Sequence, residues 1–187
     1  MTAERVRKRF TVHDYHRMAE VGIFDEDRRV ELIDGEIVQM AAVGAKHASY
    51  VNRLTRYAVT ELDDTYIVSI QNSVRLSDFH EPEPDLMVLR LRDDYDDHLP
   101  TAADVLLLIE VSDSTLRYDR KVKLPLYAQA GIPEVWIVDV NGQRLTRYSQ
   151  PSGDAYQLVR RARRGQVLAS TTIPEFALPF EIPFGRA

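Results

Sequence analysis

The sequence predicts an α/β fold, and three observations carry the prediction. Val105-Leu106-Leu107-Leu108-Ile109-Glu110-Val111 is apolar without alternation, as expected of a central strand buried on both faces. Glu134-Val135-Trp136-Ile137-Val138-Asp139-Val140 is a second run of the same kind. Between His47 and Leu62, the residues Tyr50, Val51, Leu54, Tyr57, Ala58 and Leu62 recur at steps of three and four, which places one apolar stripe along a long helix that can cover a sheet. With 187 residues and 44% apolar content the chain can bury one sizeable core, so one domain over residues 1–187 is expected, with residues 1–8 as a flexible leader.

The remaining elements follow in order. Thr11 precedes Val12, Tyr15, Met18 and Ala19 at helical spacing, with Asp14 completing a capping box and Gly22 as a stop. Residues 29–33 and 36–40 are strands joined by Asp34-Gly35, the commonest signature of a two-residue hairpin turn. Extended stretches are expected at 66–70, 73–76 and 85–89. Residues 117–130 read as a helix closed by Gly131, with Tyr118, Val122, Leu126 and Ala130 as its buried stripe. Asp119, Lys123 and Tyr127 form one flank of that helix, and Arg117 and Lys121 the other. Pro125 should bend the helix or lie in a first turn. Asn141-Gly142 turns the chain into a second hairpin through residues 143–148, and a tail of short strands punctuated by Pro and Gly follows.

Composition narrows the chemistry. There is no cysteine, which removes disulfides, thiolate metal sites and cysteine nucleophiles, so any metal is held by oxygen or imidazole. Mg²⁺ or Mn²⁺ is favoured by such ligands. No apolar run is long enough to span a bilayer, and residues 1–9 lack the apolar core of a secretory signal; a cytoplasmic protein without membrane contact is expected. The net charge of −5 argues against a protein that coats nucleic acid. Charge is nonetheless uneven: Arg5, Arg7, Lys8 and Arg9 form one basic cluster, Arg160, Arg161, Arg163 and Arg164 another, and the stretch from Asp78 to Asp97 is strongly acidic.

Glu110 is the first candidate for chemistry, because a carboxylate inside an apolar strand needs a partner, either a metal ion or a basic side chain. Asp85 opens a strand that can lie beside the Glu110 strand, so the two carboxylates can converge on one ion. Lys123, on the flank it shares with Tyr127, is the lysine expected to reach inward; a lone helical lysine is otherwise solvated. Glu31 is either a carboxylate at or behind the metal or a solvent-facing strand residue. His47 is either a ligand or a helix-terminus residue, and Gln71 can touch the site from its strand. Ser112 and Ser114 with His47 and Asp113 do not make a hydrolase triad, since no G-x-S-x-G nucleophile elbow is present.

Pro84-Asp85, Ile109-Glu110-Val111-Ser112, Asp119 with Lys123 and Tyr127, and Gly131-Ile132-Pro133-Glu134-Val135-Trp136-Ile137-Val138-Asp139 together resemble the Uma2 family, formerly a domain of unknown function, within the PD-(D/E)XK nuclease superfamily. Arg9-Phe10-Thr11-Val12 with Tyr15, the hairpin Glu31-Leu32-Ile33-Asp34-Gly35-Glu36-Ile37, and Gly44 with His47 extend the resemblance over residues 9–180. It implies a restriction endonuclease-like fold, a mixed central sheet flanked by helices. It also implies a Mg²⁺- or Mn²⁺-dependent endonuclease acting on DNA, with catalytic residues Glu31, Asp85, Glu110 and a lysine. The position two after Glu110, where the superfamily carries its lysine, is Ser112, so Lys123 would be a migrated replacement. On this reading Asp85, Glu110 and the backbone carbonyl of Val111 hold the ion, Lys123 can be replaced without harm to the fold, and a homodimer would pool the basic patches. Two rival expectations are a nuclease-fold protein without turnover that binds DNA or another protein, and a hydrolase of small phosphate esters.

Overall fold

The computed structural model describes residues 8–24 and 29–185; the expected leader at 1–8 lies almost wholly outside them, as do Arg5 and Arg7 of the first basic cluster. Its centre is a six-stranded mixed sheet in the order β3-β4-β5-β6-β7-β8. These strands are Tyr66–Ile70, Leu86–Arg90, Val105–Ser112, Glu134–Asp139, Arg144–Ser152 and Ala155–Ala162. Every residue of β5 and β6 is buried, as their unbroken apolar runs require. β5 pairs antiparallel with β4 and parallel with β6, while all the other neighbours in this sheet are antiparallel.

Helices cover both faces. α1 (Val12–Glu20) begins with the full Thr11–Asp14 capping box. α2 (Ala45–Glu61) buries Tyr50, Val51, Leu54 and Ala58 against one face, where Leu86, Ile109, Val111 and Trp136 meet Phe176 and Leu178 from the C-terminal region. β9 (Val167–Ala169), β10 (Ala177–Pro179) and α5 (Glu181–Phe184) complete that side. The opposite face, with Met87, Leu108 and Ile137, is covered by a segmented helix. It consists of α3 (Leu116–Tyr118), a π-helical segment Asp119–Lys123, and α4 (Leu124–Gln129).

Two expectations change here. Residues 73–76 form only isolated bridges, with Val74 donating to the Pro82 carbonyl and Leu76 to that of His80. Pro82, opposite Val74, has no N–H to return, so no ladder can propagate. The helical stripe is also shifted: Asp119, Lys123, Tyr127 and Ala128 are buried, whereas Tyr118, Val122, Leu126 and Ala130 are only half-buried. The π turn explains the shift. Leu124 N–H reaches back five residues to Asp119, which widens the turn and rotates the downstream face. Pro125, which has no N–H to give, sits in the first turn of α4 just after the widened stretch.

The second hairpin is longer than the sequence suggested, because β7 continues through Pro151. Beyond Ser149 it pairs only with β8, so Pro151 interrupts no central ladder.

β1 (Val30–Ile33) and β2 (Glu36–Gln39) form a separate two-stranded sheet. Asp34 and Gly35 carry positive φ values of 53° and 70°, matching a type I′ turn. The turn is clamped: Phe10 N–H donates to the Gly35 carbonyl, and Gly35 N–H to that of Phe79, both at 2.9 Å. A Cβ on Gly35 would lie 2.6 Å from the Arg9 Cβ and 3.0 Å from the Phe10 carbonyl oxygen. Leu32 exchanges backbone hydrogen bonds with Glu81, which docks the hairpin against residues 81–83. Gly35→Ala should therefore cost more than the roughly 1–2 kcal/mol of left-handed backbone alone, read from urea denaturation. A change under about 0.5 kcal/mol, within the range of ordinary surface substitutions, would contradict the clamped turn.

Candidate active site

Asp85 directly precedes β4, one residue beyond the Leu86–Ile109 pair, so the register sets it opposite Glu110 on β5. Residues opposed in an antiparallel pair project from the same face. That face is the one covered by the segmented helix. Asp85 is held from three directions. The N–H of Val111 donates to its Oδ2 at 2.8 Å, Gln71 Nε2 donates to Oδ1 at 3.3 Å, and His47 Nε2 lies 3.1 Å from Oδ1 and 3.2 Å from Oδ2. Gln71 takes a positive φ of 50°, and its own N–H donates to the Asp85 carbonyl. His47, at the N-terminus of α2, keeps its Nδ1 buried and without a hydrogen bond. The hydrogen bond to Asp85 raises the pKa of His47 above the ordinary imidazole value.

Glu110 is 4% exposed and Lys123 is 4% exposed, and the two compensate each other. Lys123 Nζ lies 3.4 Å from Glu110 Oε1 and 3.0 Å from Glu31 Oε2. Tyr127 donates its hydroxyl to Glu110 Oε1 at 2.5 Å. Glu31 also accepts from the Glu83 N–H at 3.3 Å and from the Tyr118 hydroxyl at 3.4 Å. Burial pushes the Glu110 pKa up to about 8, with Lys123 pulling it down and Asp119 and Asp85 raising it. Burial opposes the charge on Lys123, but Glu110, Glu31 and Asp119 outweigh it and hold the ammonium protonated well above its ordinary range.

Asp119 is a site residue that the sequence marked only through the family pattern. It accepts hydrogen bonds from the Ser112 and Thr115 hydroxyls at 2.6 and 2.7 Å, and burial raises its pKa. Its signal was the four-residue step Asp119, Lys123, Tyr127. Lys121, by contrast, is exposed. Of the candidates, Glu31, His47, Asp85, Glu110, Val111 and Lys123 line one cavity of about 380 Å³, whereas Gln71 touches it only through Asp85. Glu83 and Asp113 join the lining, with Arg29 ion-paired to Glu83.

The donors facing this cavity are oxygens and one imidazole, which suits a hard divalent ion. A buried Glu110 whose pKa is raised by burial and by the neighbouring carboxylates Asp119 and Asp85 is relieved by any added positive charge. Among the described residues no three His, Asp or Glu side chains form a ready-made metal cage. The ammonium of Lys123 lies between Glu31 and Glu110, so the fit is to an ion held by two carboxylates and completed by water or substrate oxygens.

A six-stranded mixed sheet with an acid-rich cavity beside β4 and β5 is the architecture of a restriction endonuclease-like nuclease fold. A solved structure shares it: that of a "putative nuclease belonging to DUF820" from Anabaena variabilis ATCC 29413, with a TM-score of 0.73 at 14% identity over 94% of this chain and 97% of that one. The chain belongs to the Uma2 family, described as "Putative restriction endonuclease", whose model matches residues 12–181. No curated protein matches it. No helix among the described residues is long and apolar enough to cross a membrane.

Two outcomes follow from the buried charges. Lys123→Met leaves Glu31 and Glu110 without their shared cation, so the fold should lose about 3–5 kcal/mol, in contrast to the tolerance expected from sequence. An unchanged urea midpoint would show that the ammonium is not needed there. For Glu110 the folded-state pKa lies above its ordinary 4.5, so the associated stability is complete below that value and lost as pH rises through about 8. In chelator-treated protein Glu110→Gln should gain on the wild type between pH 5 and 9, by less than about 1.4 kcal/mol per pH unit. Parallel stability curves would remove the raised pKa of Glu110.

Proposed function

We propose that the protein is a Mg²⁺- or Mn²⁺-dependent endonuclease that hydrolyses phosphodiester bonds in DNA. The observation that carries this is the convergence of Asp85 and Glu110 on one cavity face, with Lys123 ion-paired to Glu110. Asp85, Glu110 and the backbone carbonyl of Val111 would hold the ion. When bound, it would lower the pKa of an attacking water and polarise the scissile phosphate.

The chain's own residues prepare that position. The Val111 N–H, Gln71 and His47 fix the Asp85 carboxylate, and Tyr127 fixes that of Glu110. Lys123 offsets the like-charge repulsion among Glu31, Glu110 and Asp119 and supplies positive charge beside the reacting centre. Glu31 acts through Lys123, as the anchor that keeps its ammonium deep in the cavity. Arg160, Arg161, Arg163 and Arg164 are exposed on and just after β8, three strands from β5 in sheet order; a homodimer would pool these patches for a long polyanion.

One observation favours a second reading, a nuclease fold that binds DNA without turnover: both oxygens of Asp85 already have hydrogen-bonding partners. Cleavage of plasmid and of single-stranded DNA with Mg²⁺ or Mn²⁺, alongside calorimetric Mn²⁺ titration, separates the two. Wild type should cut, while Asp85→Asn and Glu110→Gln should lose Mn²⁺ binding and cut at least about 10²-fold more slowly, the size expected on removing a principal electrostatic stabiliser. Undiminished Mn²⁺ binding in both variants would end the proposal. Binding of metal and DNA without cleavage would assign the second reading.

A further inference from the structure

The cavity has two chemically different walls. One is the carboxylate wall already described. The other is formed by Val38 and the segment from Met40 to Gly44, which joins β2 to α2 without regular structure. Ala41, Ala42 and Val43 are exposed, Val43 by 43%, although they border a cavity full of charge. An exposed aliphatic run beside an acidic site points to an apolar part of the substrate.

Three further facts limit the form of that substrate. First, Asp85 is 8% exposed and Glu110 4%, so a scissile phosphate must come inside to reach them. In a base-paired duplex only the sugar-phosphate edge can approach the cavity of about 380 Å³, because the base is held in the stack; a base that reaches the aliphatic wall must be unpaired. That volume lies at the low end for small-molecule sites, with room for a group the size of one nucleotide. Second, among the described residues the arginine and the lysine lining the cavity are ion-paired with carboxylates, Arg29 with Glu83 and Lys123 with Glu31 and Glu110. The described part of the lining therefore offers no row of unpaired cations for successive duplex phosphates, the contacts that supply most duplex affinity. Third, an unpaired base exposes its apolar faces, which an aliphatic wall can cover, whereas a stacked and paired base hides them.

We infer that the cavity takes a single unpaired DNA nucleotide, its base against Val38, Met40 and Val43 and its phosphate toward Asp85 and Glu110, so that the preferred substrate is single-stranded or locally unpaired DNA. The inference rests on the nuclease reading for the cut, but not for the binding preference.

The test uses the full chain and three fluorescein-labelled oligonucleotides of one sequence: a single strand, a perfect duplex, and a duplex with an internal unpaired stretch. Binding is measured by anisotropy with Ca²⁺ in place of Mg²⁺, and cleavage separately with Mg²⁺ or Mn²⁺. The expected result is tighter binding of the single strand and of the interrupted duplex than of the perfect duplex, with cuts confined to unpaired residues. Replacing the aliphatic wall by Met40→Ser with Val43→Ser should weaken single-strand binding about 10-fold, as loss of a few methylene contacts does, with duplex binding and the melting temperature unchanged. Equal or tighter binding of the perfect duplex, or an unaltered single-strand affinity in the double variant, overturns the inference and leaves the nuclease reading standing. A binding preference for the unpaired forms without cleavage of any of them overturns the nuclease reading and leaves this one standing.

Discussion

The interaction on which the site depends is the burial of one ammonium, that of Lys123, among carboxylates drawn from three parts of the chain. Glu110 comes from the central strand, Glu31 from the separate hairpin and Asp119 from the covering helix. A carboxylate in the middle of β5 would be costly to bury alone, since its attraction to water is lost and the apolar strand offers nothing in exchange. Lys123 restores part of that loss. In doing so it ties the hairpin and the helix to the sheet by a charge contact, so the placement of Glu31 depends as much on Lys123 as on the strand pairing of β1.

The same requirement gives the irregular helix a physical meaning. An uninterrupted α-helix over residues 116–129 would present the face that simple counting selects, Tyr118, Val122 and Leu126. The π turn at Asp119–Lys123 presents Asp119 and Lys123 instead and leaves Leu116, Leu124 and Ala128 to pack alongside them. Widened turns of this kind recur where a helix must place a polar side chain that regular geometry would direct elsewhere.

Much of the architecture was legible because it follows from local rules. The unbroken run around Leu107 marks a strand buried on both faces, Asp34-Gly35 marks the turn between β1 and β2, and the spacing of Tyr50, Leu54 and Ala58 marks the face of α2. The need of Glu110 for a partner could be read from its apolar neighbours alone. What escaped depends on partners distant in sequence. Residues 73–76 look extended, but Pro82, opposite Val74, prevents a ladder. The buried stripe of the covering helix depends on a π turn that no periodicity count contains. Asp119 needs Ser112 and Thr115 around it before it reads as a site residue, and nothing in its immediate sequence announces them.

The charge group of Glu31, Glu110 and Lys123 also bears on how such a sequence can change over generations. Glu31 and Glu110 share the one ammonium of Lys123, so replacing the lysine strands buried carboxylates, while replacing an oppositely charged pair together can be close to neutral. Loss of the lysine alone thus passes through poorly folded ancestors, whereas loss of Glu110 alone leaves Lys123 with Glu31 and Asp119. Descendants that abandon the site are expected to lose the lysine and a carboxylate together, replaced by apolar or amide residues of similar volume. The loss would appear as a correlated pair of changes between positions 31 or 110 and position 123.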